Sequence, residues 1–231
     1  LAATLEVCLR HAGKISRLSR TLCETIHLTH TQPNTLPDQF DYLYLRRDLA
    51  ELKGSRYDGK RNHIRRFKAQ YPAWSFRPFS PDSGEIAMKL FDTWCSGKAD
   101  SVYFQPLAEL CQRRALLRAF SHFESLNLIG GGIWDKEKLL GFIIGSPLNA
   151  DTVVVHFQYG HPEAGGVMPL LLQEAAGSSF SNYQYINLEQ DIGIAGLRKS
   201  KLSLHPLRMI EKYEVTDRTY RRVRPCISLE L

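Results

Sequence analysis

The sequence has no apolar run near the roughly 18 residues that a membrane-spanning helix requires. Its longest, LLGFIIG at 139–145, is the size of a strand. No basic, apolar and small-residue leader opens the chain. Cysteine is sparse: five residues, Cys8, Cys23, Cys95, Cys111 and Cys226, odd in number and without a CxxC spacing. That argues against a disulfide framework and against a thiolate zinc site, and it fits reduced thiols in the cytoplasm. The eight histidines include no HExxH or other paired ligand spacing, so no metal is expected. Internal repeats and low-complexity tracts are absent as well.

What is present fits a folded domain. The 231 residues make one large domain or two small ones, with 43% hydrophobic, 10% aromatic and 23% charged residues. The net charge of +6 is uneven. Residues 53–72 carry seven Lys/Arg and one Asp; residues 198–224 carry nine Lys/Arg and three acids. Each block is net +6, which leaves the rest of the chain net −6. Two basic blocks on an acidic body point to an anionic partner, although a solvated helix face would look the same.

Periodicity gives a coarse order of elements. Residues 1–12 read as a helix already under way at Leu1, as in a fragment or a processed product. TLCETIHL (21–28) reads as a strand, THTQPNTLP (29–37) as a loop and FDYLYL (40–45) as a strand. Residues 59–70 form a basic amphipathic helix with Ile64, Phe67 and Tyr71 on its apolar side, stopped by Pro72. WSFRPF is a strand. The next helix starts with Ser80 as N-cap and Pro81 in its first turn. A boundary is expected near residue 100, dividing the chain into 1–100 and 101–231. A helix over about 105–125 follows, with Leu107, Leu110, Cys111, Ala115, Leu117, Phe120 and Phe123 as its apolar positions. Three meandering strands come next (LNLIGGGIW, LLGFIIGSPL, DTVVVHFQY), then the loop GHPEAGG and the helix VMPLLLQEAAGSSF. The strand YQYINL, a loop and helix, and a last strand LRMIEKYEV complete the order. This is an α/β fold of the α+β kind with a mixed sheet.

One stretch concentrates chemistry. YINLEQDIGIAGLRKSKLSLHP (185–206) brings Glu189 and Asp191 to the end of a strand, where α/β sheets tend to bind ligands. Gly193 and Gly196 permit close backbone approach. Arg198 and Lys201, three apart on the following helix, can share a face and hold a phosphate. Acyl transfer needs a base, oxyanion donors and held substrates. Glu189, Asp191 and His156 are the candidate catalytic groups. Lys60, Arg61, Asn62, Asn187, Arg198 and Lys201 are the candidate substrate-binding groups. His156 reads as sharing a strand face with Val154 and Gln158. Helix capping and a salt bridge to Arg198 would use the same carboxylates, and a satisfied core histidine would look like His156. Asn187 could instead tie the strand end to the loop. The EAGG turn (163–166) is either an anion seat or an ordinary tight turn. Tyr42 and Tyr44 either stack on a ring or belong to the core.

Two motifs carry a family resemblance: DYLYLRRDLAELKGSRYDGKRNHIRRFKAQYP (41–72) and YINLEQDIGIAGLRKSKLSLHPLRMIEKY (185–213). The sequence resembles the family of the C-terminal domain of phosphatidylglycerol lysyltransferase, across nearly all of residues 40–215. The resemblance implies two packed halves of the GNAT acyltransferase fold: the end of a first half in 1–100, with most of its sheet before Leu1, and a complete second half in 101–231. It implies a transferase moving an acyl or aminoacyl group to an amine or hydroxyl, since the namesake enzyme moves an aminoacyl group from tRNA to a lipid headgroup. The expected partner is an anionic substrate such as aminoacyl-tRNA or acyl-CoA. The alternative is a non-catalytic module holding a phosphate-bearing ligand in a basic cleft. Two departures bear on this. Gln158 and Tyr159 stand where the family pattern continues with a Glu-Lys pair, and GHPEAGGV lacks the GNAT acyl-CoA loop pattern, so no cofactor is expected.

Overall fold

The computed structural model describes residues 1–26, 31–97 and 106–217. In chain order the elements are α1 (Ala2–Ala12), β1 (Lys14–Leu18), α2 (Arg20–Glu24), β2 (Thr31–Thr35), β3 (Asp41–Leu45), α3 (Arg46–Glu51), α4 (Asp58–Gln70), β4 (Trp74–Pro78) and α5 (Gly84–Ser96). Next come α6 (Pro106–Ser121), β5 (Ile129–Asp135), β6 (Lys138–Pro147), β7 (Thr152–Gly160) and α7 (Val167–Gly177). The chain continues through β8 (Tyr185–Asn187), α8 (Ala195–Leu202), β9 (Arg208–Ile210) and β10 (Tyr213–Asp217). They gather into two compact units. One holds Leu1–Asp41, Gln190–Gly193 and the chain from Met209; the other holds Tyr42–Glu189 and Ile194–Arg208.

In the first unit β10 lies between β1 and β2 in an antiparallel sheet. Leu9, Leu18, Cys23, Ile26 and Val215 form its core. Two local expectations are corrected here. TLCETIHL is not a strand at its start: Ser19 Oγ accepts the Leu22 N–H at 3.3 Å and caps α2. Residues 31–35, read as loop, form β2 despite Pro33, because β2 is an edge strand and a missing N–H there costs no ladder bond. The last strand is likewise two, β9 and β10.

The second unit is built on strands in the order β4-β5-β6-β7-β8-β3. The ladders from β4 to β7 and between β8 and β3 are antiparallel; β7 and β8 run parallel. On one face α5 and α6 pack Phe91, Leu116 and Phe120 against Phe142, Ile144 and Tyr159. The polar side of α6 differs from the sequence reading: Leu116 is buried and Leu117 exposed. On the other face lies α7, whose buried positions run all round it (Val167, Leu170, Leu171, Leu172, Ala175, Ala176), because α3 and α4 cover its outer side. Gly141 lets α7 approach the sheet, since a Cβ there would stand 2.9 Å from Val167 Cγ2. The Ser80 capping box opens a short 3-10 turn over Pro81–Ser83, and α5 follows from Gly84. β4 pairs with β5, Trp74 opposite Asp135; the boundary expected near residue 100 falls outside the described residues.

Candidate functional site

The site forms where β7 and β8 part. Their parallel ladder runs from Thr152↔Tyr185 to Val154↔Asn187 and ends, while β7 continues to Gly160. Directly beyond the last pair the β6–β7 register shifts, from Gly145↔Val155 to Ile144↔Phe157. His156 is the extra residue of this β-bulge. A bulge re-aims a side chain and breaks the alternation of faces. The expectation that His156 shares a face with both Val154 and Gln158 is therefore corrected. His156 lines a cavity against α6, while Gln158 turns to the other face and donates to the Met168 carbonyl at 3.2 Å.

His156 lies between two oxygens. Its Nδ1 is 3.3 Å from Glu189 Oε1 and its Nε2 is 2.8 Å from Ser146 Oγ. An ionised carboxylate only accepts, so the neutral ring keeps its proton on Nδ1 and donates it to Glu189. Nε2 is then left with a lone pair toward the Ser146 hydroxyl. About a third of each of the His156 and Glu189 side chains is open to solvent.

Glu189 is held in a left-handed backbone conformation, φ +55°. Three groups hold it there. Its N–H donates to Asn187 Oδ1 at 2.7 Å, and its carbonyl accepts from the Tyr42 N–H at 3.2 Å and from Lys201 Nζ at 3.2 Å. Lys201 Nζ also donates to the Leu188 carbonyl at 2.5 Å. Asn187, 2% exposed, thus ties the strand end to the loop, and Lys201 ties α8 to the same end. Such strain in a non-glycine residue concentrates at functional sites.

The other sequence candidates have the following surroundings. Asp191 belongs to the first unit, is 1% exposed and accepts the Gly193 N–H at 2.8 Å. Arg198 is half-buried on α8. On α4, Lys60 donates to Ser203 Oγ at 2.7 Å, and burial lowers the pKa of its ammonium. Arg61 donates to the carbonyls of Leu52 and Gly54 and pairs with Asp58, closing the end of α3. Asn62 accepts from Arg65 at 3.1 Å. Tyr42 and Tyr44 are core residues, and the Tyr44 hydroxyl donates to the Lys201 carbonyl at 2.8 Å. In the EAGG turn three N–H groups bond locally: Glu163 to His161 Nδ1, Ala164 to the His161 carbonyl and Gly165 to the Glu163 carbonyl. Gly166 (φ +92°) backs onto α4, where a Cβ would stand 2.4 Å from the His63 carbonyl oxygen. The turn has the form of a tight turn packed on a helix.

Sequence reasoning missed Ser146, Arg118 and His122. They line the same cavity as His156, of about 330 Å³, with Ala115 and Phe157 adding apolar wall. Hairpin arithmetic could have found Ser146, which pairs with Val154 across β6 and β7. No group of histidine, cysteine or carboxylate side chains among the described residues is arranged to hold a metal ion. No described helix is long and apolar enough to cross a membrane.

The sheet of the second unit is mixed, carries helices on both faces and parts beside this cavity. The chain belongs to the family described as phosphatidylglycerol lysyltransferase, C-terminal, which matches residues 5–216. A conserved protein of unknown function from Bacteroides thetaiotaomicron is similar at 32% identity and TM-score 0.82, over 93% of this chain and 75% of that one. A domain described as the C-terminal part of a lysylphosphatidylglycerol synthetase, from Agrobacterium fabrum, shares the fold at 15% identity and TM-score 0.67, over 94% and 72% of the two chains. L-PGS from Bacillus licheniformis does so at 15% identity and TM-score 0.63, over 90% and 68%. No curated protein matches the chain.

Proposed function

We propose that this chain is a GNAT-like transferase that moves an acyl or aminoacyl group onto an amine or hydroxyl, with His156 as general base. The observation that carries this reading is the placement of His156 on a bulge between Ser146 and Glu189, at a cavity where two strands part. A nucleophile in the cavity gives its proton to Nε2. Glu189 keeps the ring in the required tautomer and stabilises the imidazolium that forms. General base catalysis of this kind is worth about 10²–10⁴ in rate. The family supports an anionic donor such as aminoacyl-tRNA, and Arg118 in the cavity wall offers it a cation.

A second reading, a binding module without turnover, is favoured by one observation. The two positions that depart from the family pattern serve the fold: Gln158 bonds Met168, and the buried Tyr159 donates to Gln112 Oε1 at 3.0 Å. A transfer assay with charged tRNA and with acyl-CoA donors separates the two. The first reading expects turnover that falls about 10²–10⁴-fold in His156→Gln. Salt-dependent binding of both donors with no turnover by the unaltered chain would establish the second.

A further inference from the structure

We infer that the acyl group this cavity takes carries a carboxylate of its own, as an aspartyl or glutamyl group does, and that Arg118 selects it. The inference rests on the transferase reading and deepens it: it names the class of acyl group, not the acceptor. A donor as large as tRNA stays outside a cavity of about 330 Å³, so what enters is its acyl group. The acyl carbon belongs beside Nε2 of His156, where the acceptor loses its proton. The acceptor's nitrogen or oxygen bonds to that carbon as its proton passes to Nε2. The bond from the carbon to the donor's ester oxygen breaks, and this oxygen leaves with the proton. The side chain of the acyl group meanwhile lies along the wall that α6 provides. Ala115, Arg118, Ala119 and His122 make that wall. Their spacing puts them on one stripe of a helix. The helical path holds to the end of the stripe, since the His122 N–H donates to the Arg118 carbonyl at 3.1 Å. The two alanines leave room, and the two longer residues supply the polar groups.

The charge of this wall decides the class. Among the described residues that line the cavity, Arg118 carries the one permanent charge and none is a carboxylate. Glu189 sits on the far side of the His156 ring, on Nδ1 at 3.3 Å. Arg113, also on α6, is paired with Asp92 of α5 at 3.2 Å. Arg118 has no such partner among the described residues, and it is exposed. A lysyl ammonium here would meet a like charge and find no counter-ion. A carboxylate meets the fork of the guanidinium with two parallel N–H···O bonds, and His122 offers a further ring N–H. One fixed positive charge also matches one carboxylate. Leu128 and Phe157 add apolar wall, which weakens the solvent screening of such a pair.

The test uses the full chain and aminonucleoside amides of aspartate, glutamate, alanine and lysine, stable mimics of a charged tRNA end, with binding read by calorimetry. An acidic mimic should bind about 10–100-fold tighter than the lysyl one, as hydrogen bonds to a charged group allow. Arg118→Gln should remove that preference and Arg118→Glu should reverse it, both with melting temperatures unchanged because Arg118 is exposed. A lysyl mimic bound as tightly as the acidic ones, no mimic bound at all, or a preference unmoved in Arg118→Glu overturns the inference. Transfer to hydroxylamine from lysyl-tRNA in preference to aspartyl- and glutamyl-tRNA, lost in His156→Gln, also overturns it and leaves the transferase reading standing. An acidic preference in binding that Arg118→Glu reverses, with no transfer from any donor, upholds the subsite and refutes the transferase.

Discussion

The backbone of Glu189 offers a test of the site that does not require a substrate. At φ +55° a residue with a Cβ bears a penalty of about 1–2 kcal/mol that glycine escapes. Glycine loses roughly 0.5–1 kcal/mol more chain entropy on folding than alanine does. The bonds that hold this conformation, to Asn187 Oδ1, the Tyr42 N–H and Lys201 Nζ, all use main-chain atoms of Glu189. They survive removal of the side chain, so Glu189→Ala and Glu189→Gly both delete the carboxylate and keep the frame. Glu189→Gly should therefore be the more stable of the two by about 0.5–1 kcal/mol, since the steric relief exceeds the entropy loss. In a chain of this size that is about 1–4 °C in melting temperature. Differential scanning calorimetry reads it directly, with Glu85 on the exposed side of α5 as control. There the order should reverse, alanine exceeding glycine by about 1 kcal/mol. Both Glu189 variants should lose base-assisted activity to the same extent. If Glu189→Ala melts at or above Glu189→Gly, the left-handed backbone, and with it the strained presentation of the carboxylate to His156, is refuted.

Two further outcomes follow from the basic helix. Burial lowers the Lys60 pKa, so between its folded value and about 10.4 the unfolded chain binds more protons, and stability gains from Lys60 as pH rises. Lys60→Met should accordingly melt higher than the unaltered chain at pH 7, with the gap closing toward pH 10; a gap independent of pH would refute the desolvation. Arg61 closes the end of α3 through two carbonyls and Asp58, so Arg61→Ala should cost about 1–3 kcal/mol. A urea melt unchanged by Arg61→Ala would return this guanidinium to the list of groups available to a ligand.

Much of the architecture was legible because its segments are long and regular. The periods that define α4, α5 and α7, and the meander of β5, β6 and β7, each repeat over enough residues to outweigh local ambiguity. Errors fell where one short-range contact decides the outcome. Ser19 turns a strand-like run into α2, and the edge position of β2 makes Pro33 harmless. Charge was the weakest guide. The block at 53–72 reads as an anion surface, but Lys60 and Arg61 point their charges at the protein itself. A sequence counts cations and does not show which carbonyls they are needed to satisfy.

The candidate site was half legible, and Ser146 shows one reason why the rest was not. His156, Glu189 and Asn187 stand out because they interrupt apolar strands near a change of element. Ser146 does not, since a serine at the end of a strand is ordinary. Its importance depends on a single extra residue in β7. Without the bulge, strict alternation would put His156 and Gln158 on the same face, and the α6 cavity would face both of them or neither. With it, the ring reaches a hydroxyl from β6 on one side and a carboxylate from beyond β8 on the other, just where the parallel ladder has ended. One inserted residue leaves almost no trace in a hydrophobic pattern, yet here it decides which side chains can meet. The chemistry of this fold is therefore written less in which polar residues its strands carry than in where the ladder between them fails.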